Sequence, residues 1–363
     1  MQPILVDAHQ DLAYNMLQFG RDYTRSALET RQIEIGTDTP KRNGDSLLGW
    51  PEYQKGRVAV VFATLFTPPQ RARSGNWERL SYANPDQAYR LYRNQLEAYQ
   101  RLADDQPDKF HYVQSRSDLD SVLEHWEDPT QAEHPVGLVP LMEGAEAVRS
   151  PQELEEWWAT GLRVIGLAWA GTRFCGGTRE PGPLTREGEA MLEAMSDLGF
   201  LLDLSHMDVQ ASRQALDRYQ GQMIASHANA ASLLRDYNGN RLLTDDVIRS
   251  LLDRDGIIGI VPLNSFLLNG WKRGDERRHL SLGHVVAQID YICQIAGDAL
   301  HVGLGTDFDG GFGVQSVPPE IDTIADLKKL IPLLGEKGYS EEDVAAIFGQ
   351  NWLRKLRSVL PEA

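Results

Sequence analysis

The chain has 363 residues, enough for two average domains or for one large α/β barrel carrying insertions. A formal charge of −16 argues against nucleic-acid or anionic-membrane partners, because both reward clustered Lys and Arg. Two cysteines far apart, Cys175 and Cys293, suggest no disulfide framework, and without a leader-like start, a membrane-length apolar run or a hydrophobic tail a cytoplasmic protein is expected.

The first predicted strand, "ILVDAH", breaks into His9, one spacer and Asp11, and the second, "RVAVVFATLF", starts at Arg57. From Pro68 to about Pro135 the chain is long and charged, and it reads as an enlarged loop-and-helix excursion after the second strand, with helical spacing in "QAYRLYRNQLEAYQRLADD". "VGLVPLMEG" from Val136 is the third strand and ends on Glu143; after the helical "PQELEEWWATG" comes the fourth, "LRVIGLAW" from Leu162, ending on Trp169. The helix "TREGEAMLEAMSDLG" leads to "GFLLDLSH" from Gly199, which delivers His206, and then to "QMIASHA" from Gln222, which delivers His227. "LTDDVIRSLLDRDG" is helical, with a strand "GIIGIVPLN" behind it, and the last strand, "LHVGLGTDFDG" from Leu300, delivers Asp307.

Strands apolar throughout that alternate with helices predict a parallel sheet covered on both faces. Eight such units predict a closed (β/α)8 TIM barrel, residues 1–363 forming one domain, with an open doubly wound sheet as the structural alternative. Active sites of parallel barrels lie where the strands end. Here His9, Asp11, Glu143, His206, His227 and Asp307 arrive as apolar runs stop, six residues on five strands. Imidazoles and carboxylates are the donors Zn²⁺ takes, and this set exceeds what one tetrahedral ion needs, so a two-metal site with a shared carboxylate fits the count. At a strand end residues two apart share a face, which lets His9 and Asp11 reach one ion while Gln10 points away.

The segments "DAHQD", "LMEGAE", "LLDLSHMD", "IASHANA", "NRLLTDDVI" and "GLGTDFDGG", in this order, resemble the membrane or renal dipeptidase family of zinc peptidases over nearly the whole chain. The resemblance implies a zinc dipeptidase with two Zn²⁺ per chain, a small-molecule substrate such as a dipeptide, and a homodimer. It implies that His9 and Asp11 hold one zinc, His206 and His227 the other, and Glu143 bridges both. Asp307 would be the catalytic acid-base that holds and deprotonates a metal-bridging water, giving a bridging hydroxide, and Arg241 would receive the free carboxylate of the substrate.

Two stretches depart from the family pattern. The fourth strand of the family usually ends in a histidine near the reacting carbonyl, whereas this chain carries Trp169, with Arg173 as a nearby positive donor for the substrate; the seventh reads "VPLNSF". Indole donates one hydrogen bond and cannot shuttle a proton, so a remodelled pocket is expected. Hydrolysis of another amide or ester, such as an N-acyl amino acid or a lactone, and a noncatalytic metal-binding barrel stay open as alternatives. Asp309 reads as loop-capping, His111, His125, His279, His284 and His301 as solvent-facing or structural, and Trp157 and Trp158 as packing residues.

Overall fold

Uninterrupted apolar runs become strands that are buried on both faces, and the longest, Val58–Phe66 and Val136–Glu143, are buried at every position. In a computed structural model, which describes residues 2–362, the strands are β1 (Leu5–Gln10), β2 (Val58–Phe66), β3 (Phe110–Tyr112), β4 (Val136–Glu143), β5 (Val164–Gly166), β6 (Cys175–Gly177), β7 (Glu180–Leu184), β8 (Leu201–Asp203), β9 (Met223–Ile224), β10 (Ile258–Ile260) and β11 (Val302–Leu304). The main sheet runs β10-β11-β1-β2-β4-β5-β8-β9 with every pair parallel, and a parallel bridge from Ala225 to Ile258 joins its two ends. This is the (β/α)8 barrel, and all eight predicted strands take part in it.

The seam where β9 meets β10 and β11 has no room for side chains. A Cβ on Gly259 or Gly305 would lie 1.9 or 1.8 Å from the carbonyl oxygen of Ser226, so only glycine allows the ring to close there.

The excursion after β2 contains more than helices. Asn84 accepts a bond from the backbone N–H of Gln87 and starts the helix Pro85–Asp105, and Ser115 with Asp118 forms a capping box for Arg116–Glu127. Between them β3 pairs with residues 136–138 of β4, on the edge that β5 takes over at Leu141. A second excursion, Leu12–Gly56, folds into four short helices between β1 and β2. The antiparallel hairpin β6–β7 follows β5 and leans its turn against the strand ends. Among the described residues no helix is long and apolar enough to cross a membrane.

Candidate active site

The ends of β1, β4, β8, β9 and β11 bring the predicted residues together. Gln10 turns away, bonding Asp7 and Tyr53 at 2.6 Å each, and His9 Nε2 lies 4.0 Å from Asp11 Oδ1. Glu143, the last residue of β4, offers one oxygen to each half of the cluster. Its Oε1 is 3.0 Å from His206 Nε2 and 3.3 Å from His227 Nε2, while Oε2 is 3.7 Å from His9 Nε2. Asp307 Oδ1 stands 4.0 Å from His9 Nε2. His206 and Asp307 both adopt left-handed backbone, φ 66° and 56°, a conformation that non-glycine residues keep only where the surroundings impose it. Just past each strand end the chain is twisted so that these side chains point into the barrel mouth.

Electrostatics follow chiefly from burial, with Arg241 as the main cation acting on the cluster. Desolvation, helped by Arg241, pulls His9 down to about 3, and burial likewise holds His206 and His227 well below the usual imidazole range. Burial pushes Asp11 up to about 7; Glu143 and Asp307 are raised by burial first and then by the neighbouring acids. With the imidazoles neutral, Arg241 is the single positive charge set against three crowded carboxyls, too little to let all of them ionise.

A divalent cation fits this donor set. His9 Nδ1 and Nε2 and Asp11 Oδ1 are buried with no hydrogen-bond partner among the described residues, and the Nε2 atoms of His206 and His227 face each other at 2.9 Å. One donor atom each from His9, Glu143 and His227, and likewise from His9, Asp11 and Asp307, lies within 4.8 Å of the others. The imidazoles are also oriented from behind. His206 Nδ1 meets Thr178 Oγ1 at 2.9 Å, on the hairpin turn, and His227 Nδ1 meets Ser226 Oγ at 2.8 Å, which in turn donates to buried Asp203. Thr178, Ser226 and Asp203 were not among the predicted residues; the Ser-His dipeptide "SHA" and the acid of "DLSH" were the available signals for two of them.

Above the cluster opens a cavity of about 570 Å³, bounded by Trp169, Arg179, His206, Arg241 and Phe266. Arg241 is nearly buried: one nitrogen donates to the carbonyl of His227 at 2.8 Å, the guanidinium lies 5.1 Å from the centre of the Phe266 ring, and Nε and the other terminal nitrogen are unpartnered among the described residues. Trp169 is half-buried on the cavity wall, its ring 5.1 Å from Phe66 and 6.2 Å from His206. Arg173 is a correction. Its guanidinium binds Glu146 at 2.5 Å, Glu187 at 3.2 Å and the carbonyl of Val148, and it does not line the cavity. Asp309 is fully buried and ties loops together, accepting from Arg21, Tyr23, Ser46 and the N–H of Leu47.

A sequence profile described as membrane dipeptidase (peptidase family M19) matches residues 1–361. The chain belongs to the membrane dipeptidase family. Its metal-dependent hydrolase activity is of the dipeptidase type, and a metal cofactor goes with membership. A protein of Klebsiella pneumoniae, described as an uncharacterized protein in the pqqA 5' region, is 32% identical over 236 residues, 62% of this chain and 82% of that protein. Dipeptidase aclJ of Aspergillus oryzae is 25% identical over 363 residues, 98% of this chain and 78% of its own length. Among solved structures, a metallo peptidase of Rhodobacter sphaeroides liganded with a phosphinate mimic of the dipeptide L-Ala-D-Ala superposes with a TM-score of 0.78 over 99% of this chain and 100% of the other, at 21% identity, a likeness of fold.

Proposed function

We propose that this member of the family hydrolyses dipeptides with two zinc ions per chain, residues 1–363 acting as one barrel domain. The observation that carries the reading is Glu143, whose two oxygens face His206 with His227 on one side and His9 on the other, as a carboxylate shared by two ions must. His9 and Asp11 would hold one ion, His206 and His227 the second, and Glu143 both. When bound, the pair supplies Lewis acidity that polarises the scissile carbonyl and acidifies the attacking water.

The chain's own residues do the rest. Asp307, raised by burial, takes the proton of the attacking water and returns it to the leaving amine. Arg241 directs its unpartnered nitrogens at the free carboxylate of the substrate, a match for the guanidinium fork. Trp169 supplies a flat wall where the family pattern has imidazole, shaping the substrate without exchanging protons.

Zinc-loaded protein should cleave dipeptides and lose the activity to a chelator. Arg241→Ala should lower kcat/KM on dipeptides with a free carboxylate by about 10- to 150-fold, the equivalent of a charge-assisted bond of roughly 1.5–3 kcal/mol, and should change it far less on their amides. Equal losses on both, or no zinc-dependent cleavage, would overturn the reading.

A further inference from the structure

The turn of the β6–β7 hairpin places a second guanidinium on the cavity. Arg179 sits at φ 63° between Thr178, which orients His206, and Glu180. Among the described residues its guanidinium meets no carboxylate; only its backbone N–H is bonded, to Asn240 Oδ1 at 3.0 Å. Asn240 also donates to the carbonyl of Gly177 at 2.9 Å, so the turn is stapled to the residue that precedes Arg241. Both arginines therefore line the same cavity, on segments held together through Asn240. The acid beside them is spent: both oxygens of Glu180 are taken by Arg71, at 3.0 and 2.8 Å. In a chain of net charge −16, the cavity wall carries two cations: Arg241, which faces Asp307 and Glu143 on its metal side, and Arg179, which no carboxylate of the wall pairs.

We infer that the preferred substrates are dipeptides whose carboxyl-terminal residue is itself acidic, Asp or Glu, with the α-carboxylate on Arg241 and the side-chain carboxylate on Arg179. The inference rests on the proposed dipeptidase reading. A substrate with its acidic residue first would, with its α-carboxylate on Arg241, place that side chain across the scissile bond from Arg241. Arg179 is solvent-exposed, so its contribution lies between the few-fold of a surface pair and the hundredfold of a buried one.

The test compares kcat/KM of the zinc-loaded enzyme on Ala-Glu, Ala-Gln and Glu-Ala, in wild type, Arg179→Gln and Arg179→Glu. Gln and Glu meet the left-handed turn with the same kind of side chain as Arg, so the hairpin is kept. Wild type should favour Ala-Glu over Ala-Gln by about tenfold, with the preference shrinking as salt rises. The ratio should fall to near one in Arg179→Gln and below one in Arg179→Glu. A wild-type ratio near one, a preference for Glu-Ala, or a ratio that survives Arg179→Gln overturns the inference while leaving the dipeptidase reading intact. A zinc-loaded wild type that cleaves none of the three overturns both.

Discussion

Replacing Thr178 with Val keeps the shape of the side chain and removes the hydroxyl that meets His206 Nδ1 at 2.9 Å. His206 is only 9% exposed and Thr178 is the partner its Nδ1 has; in the tautomer that frees Nε2 for a metal the Nδ1–H donates to Thr178, so the variant leaves that buried N–H without an acceptor, at a cost of about 1–3 kcal/mol. The ring can escape that cost by moving its proton to Nε2, the nitrogen that points at Glu143 Oε1 from 3.0 Å and that a metal would need unprotonated. Either outcome weakens the metal site. Loss of such an outer hydrogen bond typically lowers metal affinity about 10- to 100-fold, which at 1.4 kcal/mol per decade is roughly 1.4–2.8 kcal/mol and agrees with the desolvation figure. Competition between the protein and a zinc chelator measures the shift directly, and Thr178→Ser, which restores the hydroxyl, should recover most of it. Zinc affinity in Thr178→Val equal to wild type would refute the reasoning that the hairpin contact orients His206 for metal.

If Glu143 bridges two ions as proposed, Glu143→Ala should lower the metal content at both halves of the cluster, because both lose a donor; elemental analysis decides it. Gly310→Ala would put a Cβ 2.0 Å from Asp307 Oδ1 and 2.9 Å from Asp11 Oδ2, so the Asp307 carboxylate must swing aside, and kcat should fall on the order of 10²-fold, approaching the effect of Asp307→Asn in the same assay. Zinc uptake near pH 6 should release protons. Asp11, raised to about 7 by burial, holds a proton there that a cation displaces, burial and the neighbouring acids shift Glu143 and Asp307 in the same direction, and His9, lowered to about 3, is already neutral. Affinity therefore weakens as pH falls from 7 toward 5, and calorimetry in buffers of different ionisation enthalpy should show a binding heat that depends on the buffer.

The barrel was legible because its strands are apolar on both faces and stop abruptly at polar residues. Glu143 and His227 stand out in "LMEGAE" and "IASHANA" for that reason, and the structure gathers them with His9, Asp11, His206 and Asp307 at one mouth. The hairpin escaped notice because "CGG" and "EPGPL" show no alternating apolar pattern, and β3 because three residues are too few to set a period. Arg173 misled for another reason: its partner Glu146 lies 27 positions earlier, and no local pattern reveals which surface acid a long side chain will find. Thr178 shows the converse. Its role comes from a contact across 28 positions with a residue just past the end of β8.

The hairpin turn sets two neighbouring positions under opposite pressures. Thr178 looks inward at an imidazole, while the Arg179 backbone is pinned to Asn240 and its side chain is left free. Position 178 is accordingly intolerant of drift, and position 179 can change its side chain without disturbing the staple that holds the turn. A library randomised at 179 alone, with 178 and 240 held, would sample substrate charge preference on an unaltered scaffold, and gene duplicates could part company in diet there while keeping the same chemistry beneath.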